Sequence, residues 1–361
     1  MVTRRRAALP TQRAVDRAGR AVDRAIEIWH GGAARRGHRM AVVALLRCEA
    51  LLGTRHPDLA EVVVAIADME DELGDHAAAT RRYQRALRLG AGAGRAWRVD
   101  VMTRLGDMYR RRGRYADADA AYRRAIAAAG RSAEARAALG GALNNLGVLC
   151  KYTGRFAEGA RLYRRALRIC THEHGPEHPR VATVLHNLGG LEHARGRFAE
   201  GEPWARRALG IRERSRGPDH LEVAADRAAL GGILDGLGRH DESMALYALA
   251  LAVTETARGP EHPEVAVILH NVGAVHAARG QLDAAEAHFR RALAIKQKHL
   301  GERHPEVAIT QYNLAVLLGG AGRRVEAARI CRRAMRIFAK VLPARDPRRR
   351  AAEACLRGLG G

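Results

Sequence analysis

Small, bulky and polar residues recur along this chain at a period of about 42. With Gly273 as the reference, Ala25, Ala67, Gly106, Gly147, Gly189, Gly231 and Ala315 fall into register, at successive spacings of 42, 39, 41, 42, 42, 42 and 42. Seven residues after each reference stands a glycine in all eight copies: Gly32, Gly74, Gly113, Gly154, Gly196, Gly238, Gly280 and Gly322. Glycine takes the left-handed φ that closes a helix, so this column predicts the end of a first helix, A, and the turn into a second, B. The residue at +12 is always small (Gly37, Ala79, Ala118, Gly159, Gly201, Ser243, Ala285, Ala327), and the one at +19 is always alanine, from Ala44 to Ala334. Such columns let two helix backbones approach closely. Between them most copies carry a bulky ring (Tyr83, Tyr122, Tyr163, Tyr247, Phe289), and Leu167, Leu209, Leu293 or Met335 follows the alanine. Helix B is therefore amphipathic at the helical period, and one hairpin alone cannot bury its apolar faces, whereas a stack of them can.

The pattern predicts an all-α fold, an α-solenoid superhelix of about eight helical hairpins. The repeats run over about 15–56, 57–95, 96–136, 137–178, 179–220, 221–262, 263–304 and 305–346. A disordered basic N-terminus is expected at 1–14, and a C-terminal capping helix or tail at 347–361, with Arg345 to Arg350 as a loose basic run. The segments from Leu143 to Leu167 and from Leu269 to Leu293 resemble tetratricopeptide repeats. The spacing of 42, with His-Pro linkers such as the one from Leu300 to Ala308, resembles the kinesin-light-chain type. Copies two and three depart from it, being shorter and lacking His-Pro, and copy one has Arg24 where the others place Leu, Ile or Val.

Composition adds a charge question. Lysine plus arginine number 62 against 39 acidic residues, a formal net charge of +23, and a cation-rich surface can release counterions from a polyanion. Yet only Lys151, Lys296, Lys298 and Lys340 are lysine, and an Arg-, Ala- and Gly-rich usage is also what a GC-rich genome produces. Five cysteines (Cys48, Cys150, Cys170, Cys331, Cys355) form no C-x-x-C pair, which fits a reducing cytoplasm rather than a disulfide framework. The first residues hold no apolar signal core, and no apolar run reaches the ~18 residues that a membrane span needs.

Histidines are the obvious candidate ligands. His262 recurs as His56, His178, His220 and His304 in the linkers, followed by proline in four of the five cases. Proline suits the first turn of a helix, and the neighbouring Glu264 or Glu306 suits the positive end of its dipole, so His-Pro reads as a helix start. His172, His174 and His178 are the best remaining metal candidate, but one of them already belongs to the linker motif. No phosphate loop, H-E-x-x-H, G-x-S-x-G or convincing acid–base pair occurs, so the chain reads as a non-enzyme without cofactor or metal.

Arrays of this type work through the face lined by helix A. Positions −3, +1 and +4 lie along one side of that helix. Together they predict a peptide-binding stripe at Arg110, Asn144, Val148, Lys151, His186, His193, His270 and Tyr312, continued by Ile26 and Trp29, Asp68 and Asp71, and Asp107 in earlier copies. The resemblance implies that Asn144 contacts a peptide backbone, while His186, His270 and Tyr312 depart from asparagine there. Asn145, Asn187, Asn271 and Asn313 at −2 match the repeat consensus and read as structural. The expected function is a cytoplasmic scaffold or adaptor that binds a peptide or partner domain, with acidic and bulky apolar residues on the partner, in bacterial signalling or regulation. The alternative is nucleic acid bound by the outer pairs Arg123/Arg124, Arg164/Arg165, Arg206/Arg207, Arg290/Arg291 and Arg332/Arg333 at +17 and +18.

Overall fold

The structure, a computed structural model, describes residues 12–359 and divides into two compact units, one ending at Pro176 and one beginning at Glu177. In the first unit the hairpins are α1 (Gln12–His30) with α2 (Ala34–Leu52), α3 (Leu59–Glu72) with α4 (His76–Leu89), α5 (Arg95–Arg111) with α6 (Tyr115–Ala129), and α7 (Arg136–Tyr152) with α8 (Phe156–His174). In the second they are α9 (Pro179–Ala194) with α10 (Phe198–Arg216), α11 (Leu221–Gly236) with α12 (His240–Arg258), α13 (Pro263–Ala278) with α14 (Leu282–Leu300), and α15 (Pro305–Gly320) with α16 (Arg324–Val341). Within each unit every hairpin packs on the next, and several A helices also touch directly, α5 on α7 in the first unit and α9, α11, α13 and α15 in series in the second.

The glycines at +7 all take φ between +71° and +89°. The amide after the glycine then reaches back five residues, as in Arg155 N to Cys150 O at 2.8 Å and Gln281 N to His276 O at 2.9 Å, which satisfies a carbonyl the helix end would leave bare. A second glycine column, Gly53, Gly175, Gly217, Gly259 and Gly301, closes helix B at φ between +80° and +87°. Its carbonyl accepts the amide of the linker histidine in four linkers, His262 N to Gly259 O being 3.3 Å. That histidine is an N-cap: Nδ1 of His178, His220, His262 and His304 accepts the amide two residues on, at 3.1 to 3.3 Å. The Gly-x-x-His-Pro linker is therefore a turn followed by a capped helix start.

At +12 the two helices of a hairpin touch. A Cβ on Gly37 would stand 2.8 Å from Ala25 O, one on Gly201 3.1 Å from Gly189 O, and Ser243 Oγ donates to Gly231 O at 2.8 Å. The rings at +16 lie over the small reference residues, and the −1 residues from Ile66 to Leu314 are buried, whereas Arg24 of copy one is exposed.

The N-terminal boundary differs from expectation, and of the two forms expected for 347–361 the described part takes the helical one. Residues 12–14 belong to α1, while the remainder of the expected N-terminal tail lies outside the described residues. The C-terminal basic run is largely helical: α17 (Pro347–Leu359) packs on α16 and α15, where a further A helix would stand, because Ala352 at 0% exposure, Cys355, Leu356 and Leu359 give it an apolar face.

Gly147→Val would place carbon where even a Cβ stands 2.6 Å from Tyr163 Cε1. Overpacking of this kind costs about 1–3 kcal/mol and should lower the melting temperature. Gly141→Ala, with open space at its Cβ, should raise it, since alanine exceeds glycine in a helix by about 0.5–1 kcal/mol. Thermal melts of both variants followed by circular dichroism check the pair.

Candidate functional site

In the first unit the stripe positions of copies one to three converge on a cleft of about 470 Å³ between α1, α3 and α5. Ile26, Trp29 and Met69 give it apolar lining, and Asp68, Asp71, Glu72 and Asp107 line it with Arg104 and Arg111. Tyr83, from α4, reaches through to donate its hydroxyl to Asp68, and Tyr122 donates to Asp107 Oδ1 at 2.6 Å. The −2 residue of the following repeat completes each carboxylate: Arg104 donates to Asp68 Oδ2 at 2.9 Å, and Asn145 Nδ2 to Asp107 at 3.0 and 3.1 Å. Asp71 is 5% exposed and holds Arg111, with His76 Nδ1 3.0 Å from Oδ1. Burial pushes the Asp68 and Asp107 carboxyls up, against the opposing pull of Tyr83 and Arg104 in one case and Tyr122 and Arg110 in the other. Two more carboxylates than guanidiniums thus face an opening in a strongly cationic chain.

The eight residues singled out from the sequence divide between the units. Arg110 lies on α5 beside the cleft, and Asn144, Val148 and Lys151 lie on α7, one repeat beyond it. Arg110 is half-buried, with Nε 3.9 Å from Asp107 Oδ1 and its guanidinium 6.0 Å from the Tyr152 ring centroid. Val148 and Lys151 are also half-buried. Asn144 corrects the expectation of an exposed side chain: it is 8% exposed and donates to Asn145 Oδ1 at 3.0 Å. Position −3 lies at the seam between successive A helices, as Val22 and Val64, each 6% exposed, show as well. Positions +1 and +4 are mostly half-buried or exposed, Asp71 excepted. Arg104, Arg111 and Tyr83 escaped the stripe reading because they reach the face from −2, +5 and +16. The available signal was the recurrence of Asp at +1 with Arg or Asn at −2 of the following copy.

In the second unit His193 is exposed beside the Phe198 ring, at 5.4 Å between centroids, and Tyr312 packs beside Ala308, Phe338 and Ala352. His186 and His270 are seam residues of a buried polar network that repeats after 84 residues. Arg212, 5% exposed, donates to Asp226 at 2.9 Å and to Thr183 Oγ1 at 2.8 Å, and His186 Nδ1 stands 2.6 Å from Asp226 Oδ1. At the corresponding positions Lys296, 2% exposed, reaches Glu306 and Thr310 Oγ1, each at 3.2 Å, and His270 Nδ1 is 3.1 Å from the same Thr310. Asn313 Nδ2, 3.2 Å from His270 Nε2, makes the −2 asparagine an inter-repeat link here too.

The B-helix arginines are not a uniform cationic ladder. Rings of four charges tie consecutive repeats: Asp119, Arg123, Arg155 and Glu158; Glu202, Arg206, Arg239 and Glu242; Glu286, Arg290, Arg323 and Glu326, at 2.5 to 3.6 Å. Among the described residues no three His, Cys, Asp or Glu side chains converge on a metal-sized site, and no helix is long and apolar enough to cross a membrane. His178 of the suspected histidine cluster is an N-cap, and His172 Nδ1 lies 2.9 Å from Glu173.

Sequence models of the tetratricopeptide repeat match residues 98–135, 138–200, 181–256, 227–298 and 264–340, most of the chain. The chain belongs to the tetratricopeptide repeat family. Comparison with curated protein sequences gives no significant match. Among solved structures this tetratricopeptide repeat chain is similar to a Rap protein complexed with Competence and Sporulation Factor, with TM-score 0.60, 10% identity, and coverage of 96% of this chain and 97% of that one. It is similar to a Signal Transduction ATPase with Numerous Domains carrying a tetratricopeptide repeat sensor, from Pyrococcus horikoshii, with TM-score 0.58 and 11% identity over 98% of this chain and 50% of that one. It is also similar to BtubC (BKLC) from P. vanneervenii, with 22% identity over 82% of this chain and 94% of that one and a TM-score of 0.47. For the first two the likeness is one of fold.

The networks of the second unit make stability depend on pH. Burial, and to a lesser extent Lys296, pushes His270 down to about 3. Burial also lowers His304, with Glu306 opposing and Lys296 assisting. Unfolded histidines titrate near about 6.5, so between that pH and the folded values the unfolded chain binds more protons. The histidine contribution is complete above that pH and is lost as pH falls. Melting temperature should drop between about pH 7 and about pH 5, and the drop should be smaller in a His270→Asn, His304→Asn variant; equal slopes in the two proteins would contradict the assignment.

Proposed function

We propose that this chain is a non-enzymatic scaffold, and that the cleft between α1, α3 and α5 receives a peptide or the edge of a partner protein. The observation that carries the reading is an opening of about 470 Å³ on the A-helix face, lined by Trp29, Ile26 and Met69 together with four carboxylates and two arginines. A cleft of that size accommodates one or two large side chains rather than a folded domain. Its charge balance revises the partner expected from Arg110 and Lys151. A bulky apolar residue still fits, but Glu72, exposed and in no ion pair among the described residues, together with Asp68, Asp71 and Asp107, favours a basic neighbour over an acidic one. Half-buried Val148 and Lys151, one repeat on, would extend the contact along α7.

A regulatory role, in bacterial signalling, belongs to the same proposal: a protein of similar fold, a Rap protein, was solved complexed with Competence and Sporulation Factor. Selection of the full chain against a random peptide display library tests the reading. Enriched peptides should pair an aromatic or branched residue with Lys or Arg, and Glu72→Lys or Trp29→Ala should weaken them by about tenfold, the worth of ~1.4 kcal/mol, with the circular dichroism spectrum unchanged. Enrichment of acidic peptides, or equal capture by both variants, would contradict it.

A further inference from the structure

A second cleft, of about 610 Å³, lies in the second unit between α15, α16 and the loop before α15. Its wall is cationic: Arg303, Arg333, Arg336 and Lys340 face a single carboxylate, Glu302. Along the same helix layer arginines are spent on carboxylates, Arg290 and Arg323 holding Glu286 and Glu326 and Arg291 holding Glu255. The four cations of the cleft are exposed, and none lies within ion-pair distance of an acidic group among the described residues. Concentrating four like charges around one opening costs energy in the free protein, and a multiply charged anion would relieve it.

The floor of the cleft supplies an independent sign. Gln311 is 4% exposed, and its Oε1 is buried without a hydrogen-bond partner. The same position, −4, is leucine in copies four, five and seven (Leu143, Leu185, Leu269), all three fully buried at 0% exposure. Where copy six also departs from leucine, Arg227 is satisfied internally by Glu213 Oε1 at 2.9 Å and Pro218 O at 3.0 Å. Gln311 therefore places an unsatisfied carboxamide where the repeat asks for a hydrocarbon. Turning that amide by 180° about its last bond presents N–H donors in the direction of the unpartnered oxygen.

We propose that this cleft binds a small oligophosphate, an inorganic triphosphate or the phosphate chain of a nucleoside triphosphate. Guanidinium forks match phosphate oxygens two at a time, and four cations call for a ligand of several charges rather than a single carboxylate. The volume lies within the range of small-molecule sites. No aromatic side chain lines the opening, so it lacks the stacking platform that a single nucleic-acid strand uses, and the exposed edge of Val341 beside Ile337 offers only a short apolar shelf. The site is independent of the peptide cleft, in another unit and of opposite charge.

Calorimetric titration of the full chain with inorganic triphosphate and, separately, with ATP tests the proposal. One ligand should bind per chain, more weakly as salt rises, and Arg336→Glu or Lys340→Glu should reduce affinity by about tenfold or more. Gln311→Leu, which introduces the residue of copies four, five and seven, should weaken binding several-fold yet raise the melting temperature of the ligand-free protein, a combination that damage to the fold would not produce. Equal affinity for both ligands would place recognition in the phosphate chain, and a preference for ATP would add the nucleoside on the Val341 shelf. Absence of heat at millimolar ligand overturns the proposal. So does an equal loss in Arg164→Glu, far along the sequence, or a single-stranded oligonucleotide that binds more tightly than either phosphate and depends on the same residues.

Discussion

The contact on which the rest of this structure depends is the near-touch of two helix backbones inside each hairpin. It needs a small residue at +12, where a Cβ on Gly37 or Gly201 already crowds a carbonyl of the partner helix, and a small reference residue beneath the ring at +16. Dispersion attraction falls steeply with separation, so a hairpin closed this tightly behaves as one unit and presents its two faces in a fixed relation. The A face is then set by register alone. Residues at −1 are buried from copy two onward, and most of those at +1 and +4 keep some exposure, the buried Asp71 being an exception.

On top of that repeat lies a longer one. Arg212 and Lys296, Asp226 and Thr310, His186 and His270, Glu222 and Glu306, and Arg227 and Gln311 stand 84 residues apart and occupy matching places. So do two of the surface charge rings, since Glu202, Arg206, Arg239 and Glu242 correspond to Glu286, Arg290, Arg323 and Glu326. The second unit is thus built from two pairs of hairpins rather than four equal ones. Its buried cation is held by a carboxylate in the first pair and by a hydroxyl with a more exposed glutamate in the second. Buried ion pairs are weak sources of net stability but costly to break, which makes them effective at holding one register of packing against another.

How much of this was legible follows from which physics sets each feature. Helix ends were readable because the left-handed turn admits few residues, and each +7 glycine has the positive φ its position requires. The linker histidine was readable as a helix start, though its capping through Nδ1 was not, since ring orientation depends on the turn. The open part of the A face is narrower than the three-position stripe implies. Asn144 at −3 is covered because α5 lies directly against α7, and helix-to-helix distance leaves no mark in a single repeat. The cleft is not visible within one repeat for a related reason: Tyr83, Arg104 and Arg111 meet Asp68 and Asp71 across helices and across repeats, and only the pairing of Asp at +1 with −2 of the next copy marks part of it.

The account joins packing to recognition at one place, the first hairpin, where the Gly37 contact holds the helix that carries Ile26 and Trp29. Hydrogen exchange of a Gly37→Val variant, read by mass spectrometry with and without a peptide selected on the native chain, tests that joint most directly. The account predicts that exchange protection collapses in α1 and α2 while the hairpins of the second unit keep theirs, and that the peptide no longer protects α3 and α5. Undiminished protection of α1, or peptide protection retained on α3 and α5 once α1 is loosened, would contradict it.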